Sequence, residues 1–295
     1  MKCNIYIGLF FSMLFANGSY EIFNMPSDAI ALSLNNSASI YENKSLCTNP
    51  ASLSTKTNFK SYSYILLPAS IHYISYKNTK QIKMGTIASK ISYINYGILL
   101  DSKTNKESLA YDILLEYAYK RELFNIISLG ISGGLLYSSI EDYRSNVLFA
   151  NIGLRTRLLN KKLGLGTSFE NLGFATNMYT NRREIIPSLV RFGIYYDLKY
   201  IPSILNINYI YNYNNSFSDY LIIGSEFKLD NNIYIRLAIN SLRKDLLIQD
   251  FSSDIISGLS GGIGLRKFDR FYDIGFKNLG PAGLILGFSI SKKLN

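Results

Sequence analysis

The chain has 295 residues, of which 14% are aromatic and only 18% charged, below the roughly 25% typical of soluble domains. Its formal net charge is +10, yet its basic residues form no run longer than two, whereas nucleic-acid binding needs a basic patch or stripe. His72 is the only histidine, which excludes metal sites with several histidine ligands, and its strand-like surroundings favour a structural role. We therefore predict no nucleic-acid partner, no cofactor and no enzymatic activity.

The N-terminus has the three parts of a secretory signal peptide. Lys2 supplies the positive charge, residues 5–14 form an apolar run, and Ala16 and Gly18 form a small-residue cleavage site. A membrane-spanning helix needs about 20 apolar residues, so this run is too short to be one. We predict a signal peptide over residues 1–18. Its removal would leave one cysteine, Cys47, and exclude a disulfide within the chain.

Residues 19–53 differ in pattern from the rest of the chain, and their first half is typical of a short helix. Asn49 and Pro50 indicate a turn, because proline fixes its own φ and disfavours the helical region for the preceding residue. We predict a structural turn at Asn49, Pro50 and Ala51. This turn ends a helical leader, or plug, over residues 19–53 and precedes a second region over residues 54–295.

From residue 59 onward, apolar and polar residues alternate with a period of two. Such alternation is typical of strands with one apolar and one polar face. About fourteen strands are present, with residues 82–101 forming either one long bent strand or two short ones. Short turns between neighbouring stretches indicate antiparallel hairpins in an up-and-down arrangement.

The alternation fits a soluble sandwich with apolar faces inward, or an outer-membrane barrel with apolar faces on lipid. The polar face is rich in glycine and serine, where a soluble surface carries long charged side chains. Many stretches reach the about 9–11 residues that a tilted strand needs to cross a membrane, and tyrosines recur near strand ends, as in interfacial girdles. We predict an all-β fold: an antiparallel transmembrane β-barrel of about 14 strands over residues 54–295, in the outer membrane and in contact with its lipid.

Three segments, in this order and spacing, resemble the PorV/PorQ family of outer-membrane proteins, and PorQ-like members in particular. The first is "YENKSLCTNPASLS", with its Asn-Pro-Ala box, and the second is "LGTSFENLGFA", with Asn171, Leu172 and Gly173. The third is "IPSLVRFGIYYDLKYIP", with a proline ahead of Arg191 and Gly193. The resemblance implies a non-enzymatic component of the type IX (Por) secretion system, acting through contacts with other secretion-system proteins or secreted cargo.

The same family is distantly related to FadL-type transporters, and this relationship implies an alternative function. The protein would be a channel for hydrophobic small molecules, with the leader as a hatch inside the barrel. Such a channel needs an apolar pocket in the lumen, and the glycine- and serine-rich inner face argues against a roomy one.

Two long charged connections, residues 173–187 and 241–256, are the candidate contact surfaces for secretion partners. We expect their charged side chains to make these contacts, namely Arg182, Arg183, Arg243, Lys244 and Asp245.

Overall fold

A computed structural model describes residues 20–37, 48–54, 57–100, 107–124, 126–179, 184–214, 218–246 and 256–294. The predicted signal peptide over residues 1–18 lies outside the described residues.

Fourteen strands run through the described residues. They are β1 (Asn58–Leu67), β2 (Ile71–Ile82), β3 (Gly85–Leu100), β4 (Glu107–Leu123), β5 (Ile127–Ile140), β6 (Tyr143–Leu158), β7 (Leu163–Asn177), β8 (Leu189–Asp197), β9 (Ser203–Asn212), β10 (Tyr220–Lys228), β11 (Ile233–Asn240), β12 (Leu259–Lys267), β13 (Arg270–Asn278) and β14 (Leu284–Leu294). Each pairs antiparallel with the next, and β14 pairs with β1, so the sheet closes into a barrel. The predicted antiparallel barrel of about 14 strands is confirmed.

Within residues 82–101, Gly85–Leu100 form one bent strand, β3, and not two short ones. The pairing of β3 with β4 shifts register between Asn95 and Gly97. Gly97 has a φ of 89°, and its N–H donates to Asn95 Oδ1 at 2.9 Å. A bulge of this kind adds one residue to one strand, which explains why the period of two is interrupted there.

Apolar strand residues face outward and polar residues face the lumen, the orientation predicted for a membrane barrel. On β1, Ser61 and Ser63 are buried while Tyr62 is 60% exposed. Lys77 and Lys120 are among the largest fully buried side chains, although lysine is almost never fully buried unless it is paired. The barrel interior is therefore built to satisfy charges.

The two ends of the barrel differ in the length of their connections. At one end, which we call the turn end, strands are joined by short turns at residues 83–84, 159–162, 229–232 and 268–269. The opposite end carries the longer connections, including residues 178–188 and 241–258. We call it the loop end.

Helical structure within the described residues is short. The one α-helix there, α1 (Ala29–Ser33), begins after Asp28, whose Oδ1 accepts the N–H of Ala31 at 2.7 Å and so caps the first turn. The 3₁₀ turns are Glu21–Phe23, Pro50–Ser52, Pro68–Ser70, Ser241–Leu246 and Gly280–Ala282. No helix in the described part of the chain is both long and apolar enough to cross a membrane.

Candidate functional site, a lumen occupied by the leader

The described parts of the leader, residues 20–37 and 48–53, lie inside the barrel. Ala29 on α1 and Ala51 in the second segment are both 0% exposed. α1 contacts β1 and β11 to β14, whereas the 3₁₀ turn Pro50–Ser52 contacts β4 to β6. The leader therefore touches the inner wall on two sides of the barrel.

Glycines on the inner wall allow α1 to lie directly against the strands. A Cβ added to Gly275 would come within 2.4 Å of the Ala29 carbonyl oxygen, and one added to Gly262 within 2.7 Å of Ser33 Cβ. Both distances are too short for real atoms, so a side chain at either position would displace the helix. The small residues of the polar face thus make room for the leader.

A buried ion pair ties the start of α1 to the wall. Lys77 Nζ on β2 donates to Asp28 Oδ2 at 2.7 Å and to Ser27 Oγ at 2.6 Å. The two charged side chains are only 2% and 3% exposed. Because each ion has lost its water, removing either partner would leave an uncompensated charge in the interior. This pair fixes the position of α1.

The leader's backbone and side chains make further polar contacts with the wall. Lys277 Nζ donates to Asn35 Oδ1 at 2.9 Å, and Asn208 Nδ2 donates to the carbonyl oxygen of Ser37 at 2.5 Å. These bonds to β13 and β9 hold the part of the leader that follows α1.

The predicted turn at Asn49, Pro50 and Ala51 lies in the lumen toward the turn end. Asn49 Oδ1 accepts the N–H of Ala51 at 2.9 Å, so Asn49 caps the 3₁₀ turn, and Asn49 Nδ2 donates to the carbonyl oxygen of Thr167 at 3.3 Å. The turn sits over Gly130, where a Cβ would lie 2.3 Å from the nitrogen of Ala51. The backbone of the box is therefore inserted directly against the wall.

The loop-end half of the lumen contains an apolar cluster, which we call the apolar chamber. The leader contributes Tyr20, Ile22 and Leu32 as buried members, with Phe23 and Met25 packed against them. The wall contributes inward-facing residues from several strands: Ile65, Leu67, Ile71, Tyr73, Ile94, Leu114, Leu136, Val147, Phe149 and Ile285. The inner face therefore changes composition along the barrel axis: it is rich in glycine and serine in part of the lumen and apolar at the loop end.

Short apolar runs are the sequence signal for this chamber. Residues 113–115, 135–137 and 147–149 are three consecutive apolar residues each, and the middle residue of the first two runs points inward. A run without alternation indicates a strand that is apolar on both faces. These interruptions mark where the polar inner face gives way to the chamber.

Tyr20 anchors the leader at the outer edge of the chamber. Its phenol donates to Glu184 Oε2 and lies 2.6 Å from Ser145 Oγ, and its ring stacks on Tyr179 with centroids 5.8 Å apart. Burial and the hydrogen bond to Glu184 raise the pKa of Tyr20 above its usual value. The phenol is therefore neutral and remains a donor at physiological pH.

Glu21 is the titratable leader residue next to this anchor. Burial, reinforced by the charge of Asp112 on β4, raises its pKa to about 7, while a hydrogen bond from Asn24 acts in the opposite direction. Its carboxyl group is therefore partly protonated near neutral pH when the leader is docked.

The turn-end half of the lumen is lined by charged pairs on the wall. Lys90 Nζ lies 2.6 Å from Glu116 Oε2, and Arg191 Nε donates to Glu170 Oε1 at 2.9 Å. On the opposite side, Arg236 bridges two acidic residues, Glu226 and Asp273. Alternation predicts that these positions face inward, but their pairing depends on barrel closure and strand register.

The leader leaves little free volume where the apolar chamber meets these charged pairs. A cavity bounded by Phe23, Lys90, Glu116 and Phe149 has a volume of about 40 Å³, space for about one water molecule. A solute that crosses the lumen along this route requires the leader to move.

The predicted contact residues lie on two different connections of the chain. Arg182 and Arg183 lie outside the described residues. Arg243, Lys244 and Asp245 belong to the 3₁₀ turn Ser241–Leu246 at the loop end. Their role in partner contacts stays a prediction.

His72 makes a side-chain contact within the barrel wall. His72 Nδ1 lies 2.7 Å from Tyr64 Oη on the neighbouring strand, and the two rings stack. Within the described ranges, no three His, Cys, Asp or Glu side chains are grouped to hold a metal ion.

No protein-family model matches the sequence, and no curated protein matches it. Solved structures, in contrast, match over most of the chain. The CymD monoaromatic hydrocarbon channel is 11% identical with a TM-score of 0.60, covering 91% of this chain and 98% of its own.

Two toluene transporters are also similar. TodX of Pseudomonas putida is 11% identical with a TM-score of 0.56, covering 94% of this chain and 98% of its own. TbuX of Ralstonia pickettii is 8% identical with a TM-score of 0.54, covering 84% of this chain and 92% of its own. At these identities the similarity establishes the fold, and the chain has the fold of these barrel channels.

Proposed function

We propose that the protein is a non-enzymatic outer-membrane channel for small hydrophobic molecules, in which the leader occupies the lumen and moves to open it. The observation that carries this proposal is the apolar chamber, which is filled by the leader side chains Tyr20, Ile22, Phe23 and Leu32. Apolar burial is non-directional, so a hydrophobic solute is a chemically suitable replacement for these side chains. The shared fold with a hydrocarbon channel and two toluene transporters supports the same conclusion.

The proposed orientation follows from the two ends. In outer-membrane barrels the periplasmic turns are short and the extracellular connections are longer. The loop end, and with it the apolar chamber, would therefore face the cell exterior. The belt of outward apolar side chains would contact membrane lipid, and the domain limits would be a signal peptide over 1–18, a leader over 19–53 and a barrel over 54–295.

The secretion-system hypothesis remains a prediction without a structural observation in its favour. It depends on the PorV/PorQ resemblance and on loop residues such as Arg182 and Arg243, whose partners are unidentified. The filled lumen is compatible with either function, but the chamber gives a specific reason to prefer a channel for hydrophobic solutes.

A disulfide that fixes the leader to the wall tests the channel directly. A Cβ added to Gly224 would lie 3.3 Å from Ser37 Cβ, close to the about 3.5–4.5 Å found in disulfides. The variant Ser37→Cys/Gly224→Cys, in a Cys47→Ser background, is reconstituted in liposomes and assayed for toluene uptake. We expect uptake in the reduced state and its loss on oxidation.

The matched control joins two strands of the wall. Ser61 and Ser291 face each other on β1 and β14, with hydroxyl oxygens 2.9 Å apart, so Ser61→Cys/Ser291→Cys should leave uptake unchanged on oxidation. Absence of toluene uptake in the reduced state would refute the channel, and uptake through the oxidised leader–wall variant would refute leader movement.

A further inference from the structure

The wall of the barrel is interrupted between β7 and β8 at the loop end. β7 pairs with β6 as far as Asn177, but its pairing with β8 ends at Glu170 opposite Leu189. Seven residues of β7, from 171 to 177, therefore extend beyond β8. The incoming segment 184–188 lies beside them.

Asn171 holds this segment in place. Its φ is 58°, at a register shift between β6 and β7, and its N–H donates to Asn151 Oδ1 at 2.6 Å. Its side-chain amide donates to the carbonyl oxygen of Pro187 at 2.9 Å, and Ser188 Oγ donates to the Asn171 carbonyl oxygen at 2.8 Å. The bulge thus fixes a gap of defined shape.

A cavity of about 580 Å³ occupies this gap. Its described lining combines the apolar side chains Phe174, Met178 and Ile185 with the polar side chains Glu184 and Asn214. Ligand sites in proteins are typically clefts of about 300–1,000 Å³ with an apolar lining and a few polar groups. The cavity therefore has the size and composition for a small amphipathic molecule.

Glu184 connects this cavity to the leader. Its carboxylate lines the cavity and also accepts a hydrogen bond from the phenol hydroxyl group of Tyr20. Tyr20 has a φ of 70°, and a residue other than glycine in this region costs on the order of 1–3 kcal/mol. The outer anchor of the leader is thus a strained residue held by a carboxylate that a cavity-bound molecule can reach.

We propose that this cavity binds a small phenol, whose hydroxyl group replaces that of Tyr20 as donor to Glu184 and so weakens the outer anchor of the leader. This inference rests on the proposed channel function and names the class of solute that opens it. The aromatic ring would lie against Phe174, Met178 and Ile185, since sulfur and aromatic groups both make favourable contacts with rings.

The carboxylate of Glu184 sets the specificity. A site that provides a hydrogen-bond partner for a hydroxyl group discriminates strongly against an analogue that lacks it. Toluene would make the ring contacts but could not compete with Tyr20 for the carboxylate. Benzoate would bring a second negative charge next to Glu184 and would be excluded.

The test compares p-cresol, toluene and benzoate, which share a ring of similar size. Binding to the purified full-length protein in detergent is measured by calorimetry. We expect p-cresol to bind at least about fivefold more tightly than toluene, because exchanging one phenol donor for another also releases the strained backbone of Tyr20, and benzoate not to bind. Glu184→Gln should remove most of the p-cresol advantage while leaving toluene binding unchanged.

A second readout follows the leader. The chain contains no tryptophan, so Phe23→Trp places a single tryptophan, which can be excited selectively over tyrosine, inside the apolar chamber. Its emission should shift to longer wavelength at a lower concentration of p-cresol than of toluene. Glu141→Gln, the same change in an exposed turn at the same end, is the control and should behave as the parent protein.

Failure of this inference is distinguishable from failure of the channel. Equal affinity for p-cresol and toluene, or an unchanged p-cresol affinity in Glu184→Gln, would overturn the phenol site. Toluene uptake by liposomes under the same conditions would leave the channel intact in that case. Selective p-cresol binding without passage of either compound would instead retain the site and remove the channel function.

Discussion

The loop-end and turn-end halves of the lumen are formed by the same strands but hold the leader by different forces. At the loop end, leader side chains such as Ile22 and Phe23 are inserted into the apolar chamber. At the turn end, the leader's backbone is inserted, with Ala51 lying against Gly130 and the carbonyl oxygen of Leu53 accepting a hydrogen bond from Lys120.

This difference indicates which part of the leader a solute can replace. Packing in the chamber has no directional requirement, so another apolar molecule can take the same space. The turn-end contacts need a backbone amide or carbonyl at a defined position, which a small solute does not supply. We therefore expect the leader to leave the wall first at the loop end, while the Asn-Pro-Ala box stays bound.

The largest expected effect comes from the ion pair between the two halves. Lys77→Met leaves the buried carboxylate of Asp28 without its lysine partner, and breaking a buried pair in this way costs about 3–5 kcal/mol. The leader should be released around α1, with a red shift of the Phe23→Trp emission. Arg236→Met is the control, because it breaks pairs within the wall, to Glu226 and Asp273, and it should leave the emission at the short wavelength of the parent protein.

The second effect concerns backbone insertion at the turn end. Gly130→Ala places a Cβ 2.3 Å from the nitrogen of Ala51, and overpacking of this kind costs about 1–3 kcal/mol. The box should move, and a cysteine introduced as Ser52→Cys, with Cys47→Ser, should react with maleimide. The outward-facing Gly133→Ala on the same strand should not change this reactivity, and equal labelling of both variants would contradict backbone insertion.

The barrel could be predicted from the sequence because its cause is local. Each strand carries its own alternation, and fourteen repetitions of the same pattern leave few other folds. The polar face could also be assigned to the lumen, because residues such as Gly262 and Gly275 are too small for a typical soluble surface.

The contents of the lumen could not be predicted, because they depend on contacts between distant residues. Gly130 and Pro50 are 80 positions apart, and only barrel closure places them together. Glycine on the inner face makes room for the leader, which the alternation pattern alone does not indicate. The chamber was missed since the alternation is a property of whole strands, while residues such as Leu114 and Phe149 change only the loop-end part of the inner face.

The third expected effect is a pH dependence of leader docking that is confined to the loop-end half of the lumen. The pKa of Glu21 is raised to about 7 in the docked leader, compared with about 4.3 when exposed. Its contribution to docking is therefore complete below the exposed value and is lost as the pH rises through about 7. The Phe23→Trp emission should shift red between pH 5 and pH 8, with the docking constant falling roughly tenfold or more.

The control for this titration removes the charge. Glu21→Gln should show a much smaller pH-dependent shift of the emission over the same range, the remainder coming from the carboxyl group of Asp112 on the wall. Ser52→Cys reactivity at the turn end should not follow the titration of Glu21. A pH-dependent loss of both readouts together would show that the leader moves as one unit and would contradict the two-part anchoring.

The smallest effect tests the Asn-Pro-Ala box itself. Asn49→Ala removes the acceptor for the N–H of Ala51 and the donor to the carbonyl oxygen of Thr167, and loss of such a cap costs about 1 kcal/mol. Ser52→Cys labelling should rise about fivefold while heat-modifiable mobility of the barrel on gels is retained. Asn49→Ser keeps an acceptor for Ala51 but is too short to reach Thr167, so an intermediate rate would apportion the two bonds.

The double change Asn49→Ala/Pro50→Ala should likewise disturb the leader more than barrel assembly. Loss of the heat-modifiable band would instead make the box a determinant of barrel folding, and the turn-end anchor would then no longer be separable from the wall.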